Sequence, residues 1–168
     1  VLYDDSLDYP LPLAGVNYFN LDIGDKKRQL NAFFGGVLGI VNYADPRLFG
    51  SKFDLGADLF VLAIAGTDQL YRGGVPSPGE EVEQRPARLS LNLGHPLGNF
   101  LKWSVSYQLA HTSFSDSDDT APNFVLPVDH FTHRLQTSFA FARGGYRLEV
   151  GGALHQRSEW ELWGLPEQ

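Results

Sequence analysis

Residues 100–112 read FLKWSVSYQLAHT, and large apolar side chains occupy every second position from Leu101 to Leu109. Lys102 and three uncharged residues fill the positions between them. Consecutive side chains of a β-strand point to opposite faces, so this stretch predicts a strand with one apolar and one polar face. The alternation also outlasts the roughly 5–6 residues of a typical strand in a soluble protein.

The same alternation recurs in three other segments, at 88–93, 134–141 and 146–151. Less regular apolar segments lie nearer the N-terminus, and we interpret them as strands at 14–23, 28–43 and 51–65, with a short helix around 32–41 as the alternative for part of the second. The sequence therefore predicts an all-β fold, an antiparallel up-and-down meander of about seven long strands.

The connections between these strands alternate in length from the second strand onward. Residues 95–99 and 143–145 have the Gly-rich or Pro-rich composition of tight turns, whereas 67–86 and 113–132 are long and polar. Successive connections of a meander lie at opposite ends of the sheet. One rim is therefore predicted to be short and the other elaborate, as in bacterial outer-membrane barrels.

Composition narrows the possible functions. The net charge of −7 argues against nucleic-acid binding, and the absence of cysteine excludes disulfides and thiolate sites. The first residues show no basic region followed by an apolar stretch, so we expect no signal peptide within this chain. We interpret 1–168 as a single β-barrel segment, a fragment of a larger barrel, in which 1–13 form an extended lead-in.

Alternation alone is compatible with a soluble barrel, but strand length, mid-strand charges and aromatic residues near strand ends favour a membrane. We therefore predict part or all of a transmembrane β-barrel in the bacterial outer membrane. The side chains predicted to face the lumen are Arg88, Lys102, Arg134, Arg147 and Glu149. Those predicted to face lipid are Leu89, Leu91, Leu101, Trp103, Val105, Tyr107, Phe139, Phe141, Tyr146 and Leu148.

Residues 88–97 followed by 100–107, read as strand, turn and strand, resemble the bacterial surface antigens, and residues 118–133 add to the similarity. These are the carboxy-terminal barrels of outer-membrane protein insertion and translocation-assembly machines. The resemblance covers roughly 50–165 and implies a portion of a sixteen-stranded barrel. The family's Val-Arg-Gly-aromatic loop motif has its nearest counterpart at 71–74, which lacks both flanking residues, so its role is not transferred.

The expected partners are the lipid bilayer and lipopolysaccharide, together with the client outer-membrane proteins that the resemblance implies, and no nucleic acid. A passive porin-like or structural outer-membrane barrel is one alternative, and a soluble β-barrel that binds a small apolar ligand is another. A detergent requirement distinguishes the soluble alternative from the other two.

Few residues offer catalytic or metal chemistry. His130 and His133 beside Asp129 suggest zinc, but positions three apart on a strand face opposite ways. The acidic run 116–119 lacks the glycine and distal glutamate of a calcium loop. No histidine or aspartate has a discernible nucleophile partner, so we predict no enzyme, no cofactor and no metal site.

Overall fold

The computed structural model describes residues 14–24 and 26–166, and these residues form one antiparallel sheet. The predicted lead-in at 1–13 lies outside the described residues. Nine strands are present in the described part of the chain: β1 (Val16–Ile23), β2 (Arg28–Phe34), β3 (Leu38–Asp45), β4 (Asp54–Leu62), β5 (Gly66–Arg72), β6 (Val75–Pro96), β7 (Leu101–Asp116), β8 (His130–Arg143) and β9 (Tyr146–Arg157).

The sheet is a meander with one side branch. Its order is β1-β2-β3-β4-β6-β7-β8-β9, and β5 pairs only with β6. The sheet is not closed, so β1 and β9 are its two edges. The predicted all-β, antiparallel up-and-down fold is therefore confirmed, with eight strands in the meander and β5 beside it.

The prediction of one strand at 28–43 is wrong, because two strands, β2 and β3, lie there. The chain reverses at Gly35 and Gly36, where the Gly35 amide donates to the Leu38 carbonyl at 2.8 Å. Gly36 has a φ of +75°, which glycine adopts without strain. The alternative of a short helix in this region is also wrong, since 32–41 form strand, turn and strand.

The prediction of a loop at 67–86 is also wrong. This segment contains most of β5 and the first half of β6, joined through Gly73 and Gly74. Both glycines have positive φ, 59° and 84°, as two-residue hairpin turns require. The second predicted loop, 113–132, is shorter than expected, because β7 continues to Asp116 and β8 begins at His130.

The connections divide between two rims. The short-turn rim carries the connections 24–27, 46–53, 97–100 and 144–145. The hairpin rim carries 35–37, the β5 hairpin, 117–129 and the segment 158–166. The predicted alternation of short and long connections therefore holds from β4 onward.

The only buried hydrophobic side chains in the described part of the chain are Val82 and Phe124, both at the hairpin rim. Phe124 packs edge-on against Trp163, and Val125 pairs with Gly164 as an isolated bridge. The rim segments therefore pack into a small core. The meander itself has two solvent-accessible faces and no such core.

Candidate functional site

The apolar face of the sheet is continuous across its strands. Leu91 lies opposite Tyr107, Tyr107 opposite Leu135, and Leu135 opposite Leu154. Directly opposed residues on paired strands share a face. By the same register, all ten residues predicted to face lipid lie on this face: Leu89, Leu91, Leu101, Trp103, Val105, Tyr107, Phe139, Phe141, Tyr146 and Leu148.

The five residues predicted to face a lumen lie together on the opposite, polar face. Lys102 pairs with Ala140, and Ala140 pairs with Glu149. The register places the other three on the same side: Arg88, Arg134 and Arg147. The structure therefore separates the two predicted sets onto opposite faces of one sheet.

The polar face is the more enclosed of the two. On β8, Ser138 is 7% exposed on the polar face, whereas Leu135 and Phe139 on the apolar face are 47% and 46% exposed. On β4, Phe60 on the polar face is also less exposed than Leu59. Side chains on the concave side of a curved sheet converge and cover one another. The sheet therefore curves toward its polar face.

An ion pair crosses the polar face near the short-turn rim. Lys102 Nζ on β7 lies 2.8 Å from Asp54 Oδ2 on β4, so the pair spans the intervening strand β6. Gly94 lies beneath it, where an ideal Cβ would come within 2.5 Å of Asp54 Oδ1. These residues line a cavity of about 400 Å³ that extends to Ser138 and Glu149.

Amide and carboxylate groups continue this polar layer toward β2. Asn42 Nδ2 donates to Asp58 Oδ1 at 2.8 Å, and Asn92 approaches the other oxygen of Asp58 at 3.5 Å. On β7 and β8 the hydroxyls of Ser104 and Ser138 are 2.9 Å apart. Polar side chains on this face thus bond to one another across strands.

The cations on the polar face have different surroundings. Lys102 pairs with Asp54, and Arg147 pairs with Glu149 at 3.2 Å. In contrast, Arg88 lies over the ring of Phe60, 5.8 Å from its centroid, and Arg134 donates to the Gln136 amide. Neither Arg88 nor Arg134 forms a salt bridge with any residue that the structure describes.

A hydrophobic patch on the polar face, composed of Phe33, Leu38, Ile40, Phe60 and Leu62, was not predicted as a site. Phe33 lies opposite Ile40, Ile40 opposite Phe60, and Leu38 opposite Leu62. The sequence signal was the run of residues near 32–41 and 60–64 in which both faces are apolar. Only the register shows that these runs meet on one side.

The histidines suggested as zinc ligands do not meet. His130 lies on the polar face opposite Thr112, and His133 lies on the apolar face opposite Leu109. The Nδ1 atom of His133 is 2.7 Å from the Tyr107 hydroxyl, so this histidine has a tyrosine as its hydrogen-bond partner. Within residues 14–24 and 26–166, no group of three or more His, Cys, Asp or Glu residues is arranged to hold a metal ion.

Arg72, from the segment compared with the family loop motif, lies at the tip of the β5 hairpin. Its Nε atom is 3.0 Å from both carboxylate oxygens of Glu80, a side chain that is 1% exposed. Arg72 on β5 therefore links to the buried carboxylate of Glu80 on β6, across the two strands of this hairpin.

No family model, curated protein or solved structure matches this chain. Among the described residues, no helix is both long enough and apolar enough to cross a membrane.

Proposed function

We propose that this chain forms the wall of a bacterial outer-membrane β-barrel, with the apolar face toward lipid and the polar face toward a lumen. One observation carries the proposal: the face that the curved sheet encloses is the polar one, as the low exposure of Ser138 beside Leu135 and Phe139 illustrates. A soluble barrel turns its apolar face inward. The burial pattern thus favours a membrane wall over a soluble barrel that binds an apolar ligand.

The polar groups that do lie on the apolar face support a lipid environment. Trp103 Nε1 donates to the Thr137 hydroxyl at 2.9 Å, and the Tyr107 hydroxyl contacts His133. Hydrocarbon offers no hydrogen-bond partners, so such groups must bond within the protein. Phe141 and Tyr146 lie on the same face near the short-turn rim, where interfacial aromatic girdles are found.

The specific role that we propose is protein insertion or translocation of the surface antigen type. It rests on the resemblance of residues 88–107, which form the hairpin of β6 and β7. A passive porin-like or structural barrel is the alternative, and the polar face with its cations fits either role. Steady single-channel conductance without any effect on the assembly of an unfolded outer-membrane protein would favour the passive barrel.

The absence of cysteine allows the wall assignment to be tested directly. Nitroxide labels would be attached to single cysteines introduced one at a time at residues 134–141 of the chain in lipid vesicles. We expect labels at 135, 137, 139 and 141 to collide with membrane-dissolved oxygen. Labels at 134, 136, 138 and 140 should collide with a water-soluble nickel complex.

The even and odd positions serve as controls for one another, because they share a strand and a depth. Equal access of the nickel complex to both sets would contradict the membrane wall. If only the labels at the even positions collided with oxygen, the polar face would be the one toward lipid, and the assignment of the two faces would be reversed.

A further inference from the structure

A groove at the short-turn rim lies between the turn 24–27 and the connection 46–53. It has a volume of about 850 Å³ and is lined by Lys26, Lys27, Arg28, Pro46, Arg47, Phe49 and Gly50. None of these lining residues is acidic. The groove therefore surrounds one aromatic side chain with four cationic ones.

The described carboxylates nearest the groove already have partners. Asp45 is 2% exposed and accepts from Arg28 Nε at 2.9 Å. Asp22 accepts from the backbone amide of Lys27 at 2.7 Å. The other cations of the lining form no salt bridge with any residue that the structure describes: Lys26, Lys27 and Arg47. The lining therefore carries positive charge that an anionic ligand can neutralise.

Two residues of the groove have a left-handed backbone. Lys27 has a φ of 56° and Phe49 a φ of 52°, and no other non-glycine residue in the described part of the chain has a positive φ. This conformation is unfavourable for residues with bulky side chains, and such strain is concentrated at functional sites. The Phe49 ring is 90% exposed, so packing within the chain does not compensate for the strain. The fold thus holds an aromatic ring in solvent beside the cations.

The groove adjoins the apolar face of the sheet. Asp45, the partner of Arg28, lies opposite Leu55, and Leu55 lies opposite Leu93. Leu93 in turn lies opposite Val105, one of the residues predicted to face lipid. In a membrane wall, the end of this face is where hydrocarbon gives way to headgroups, and aromatic and basic side chains are favoured there.

The two rims differ in charge. At the short-turn rim, the connections 24–27 and 46–53 contain four lysine or arginine residues and one aspartate. At the hairpin rim, the segments 117–129 and 158–166 contain five acidic residues and no lysine or arginine. In a chain with a net charge of −7, an anionic surface is therefore attracted to the short-turn rim and repelled by the hairpin rim.

We propose that the groove binds the headgroup of an anionic phospholipid in the leaflet at the short-turn rim. The lipid phosphate contacts Lys26, Lys27 and Arg47, because ammonium and guanidinium groups form strong charge-assisted hydrogen bonds to phosphate. The Phe49 ring lies among the upper parts of the acyl chains, an apolar contact that a free anion does not offer. This inference rests on the proposed function, since the membrane wall is what sets the groove at the lipid surface.

Native mass spectrometry of the full chain in neutral detergent micelles can measure the binding, with phosphatidylglycerol or phosphatidylcholine added. We expect the chain to prefer phosphatidylglycerol. Lys26→Gln and Arg47→Gln should each weaken its binding by about fivefold, the usual contribution of one basic residue at an anionic lipid surface. Arg85→Gln is the matched control, since it removes a cation at the hairpin rim, and its effect should be less than about twofold.

Substitutions of Phe49 separate lipid binding from stability. Phe49→Gly removes the ring and suits the left-handed backbone, so it should weaken phosphatidylglycerol binding without lowering the urea midpoint of unfolding. Phe49→Trp keeps an aromatic side chain and should bind as the unchanged chain does. If Phe49→Gly lowered the urea midpoint and left lipid binding intact, the ring would have a structural role and the proposal would be wrong.

Equal affinity for the two lipids would overturn the proposal, as would equal effects of Arg47→Gln and Arg85→Gln. Inorganic phosphate that competed at the same concentrations as phosphatidylglycerol would indicate a site for a small anion and would also overturn it. If a variant does not fold, the unchanged chain gives the answer: its preference for phosphatidylglycerol should decrease as salt is raised, and a preference independent of salt would contradict the role of the cations. A chain that keeps the alternation of lipid exposure at 134–141 without preferring phosphatidylglycerol would retain the membrane wall and lose only the lipid site.

Discussion

At the scale of single residues, two adjacent glycines of β9 report the difference between the faces. Gly151 lies on the polar face, where an ideal Cβ would be 2.5 Å from the Thr137 carbonyl oxygen and 2.8 Å from Ser138 Cβ. Gly152 lies on the apolar face, where nothing comes within 4 Å of such a Cβ. The crowded position faces backbone, which cannot move aside as a flexible side chain can.

We expect Gly151→Ala to destabilise the folded chain by about 1–3 kcal/mol, because the added methyl overpacks the polar face. Gly152→Ala is the control, and it should be neutral or stabilising by about 0.5–1 kcal/mol, since alanine loses less backbone entropy than glycine. Urea unfolding in detergent micelles, followed by tryptophan fluorescence, measures both. Equal effects at the two positions would contradict the curvature toward the polar face.

Where a strand has one polar side, the sequence correctly predicted the face of the sheet on which each side chain lies. Lys102 and Trp103, for example, lie on opposite faces as the alternation required. The hydrophobic patch was missed because alternation carries no information where both sides of a strand are apolar. Phe33 and Phe60 come from different strands, and only the register brings them into one row.

At the scale of elements, the hairpin rim contains an ion pair between the buried carboxylate of Glu80 and the half-exposed side chain of Arg72. Glu80 is 1% exposed and accepts from Arg72 through both oxygens. The backbone of the hairpin also contacts the 117–129 connection, where the Ala121 amide donates to the Gly79 carbonyl at 2.9 Å. Removing Arg72 would leave a buried carboxylate without its cation.

We expect Arg72→Met to loosen the hairpin rim and to speed proteinase K cleavage within 63–86 and 117–129 by about tenfold, because the unpaired buried charge favours local opening. Arg85→Met is the matched control, since Arg85 pairs at 3.5 Å with Glu83, whose side chain is 19% exposed, whereas that of Glu80 is 1% exposed. Such surface pairs contribute about 0–1 kcal/mol, so its effect should be small. Cleavage rates that rise equally in both variants would contradict the role of the Arg72–Glu80 pair.

The boundaries of a strand could be predicted where apolar and polar residues alternate along it. They could not be predicted where this alternation is absent. Residues 101–112 fall within β7 as expected, but β5 and the start of β6, which pair with each other beside the meander, show no regular alternation of apolar and polar residues. The Gly73-Gly74 pair was the available signal for this hairpin. At 28–43, the apolar residues around Gly35 and Gly36 concealed a turn.

At the scale of the whole molecule, the open sheet has two unpaired edges. β1 and β9 run antiparallel, because eight strands of a meander alternate in direction. Each unpaired backbone group in hydrocarbon costs several kcal/mol, so a membrane wall must pair both edges. The edges can meet each other or pair with further strands, and either arrangement leaves the apolar face outside.

The same architecture predicts how the isolated chain behaves when detergent is removed. Val82 and Phe124 are the only buried hydrophobic side chains among the described residues, whereas Leu135, Leu148 and Leu154 on the apolar face are 47%, 62% and 74% exposed. Apolar surface contributes about 25 cal/mol per Å² when it leaves water, so chains without lipid or detergent should bury these faces against one another.

We therefore expect a monodisperse particle in detergent micelles and large aggregates after dilution below the critical micelle concentration, as measured by light scattering. Two controls test for irreversible unfolding. The aggregated chain is returned to detergent micelles, and a second sample is diluted into lipid vesicles instead of buffer. A chain that stays monomeric in water at micromolar concentration, with its strand content unchanged by circular dichroism, would contradict the membrane wall. That result would indicate that the apolar face packs in the interior of a soluble protein.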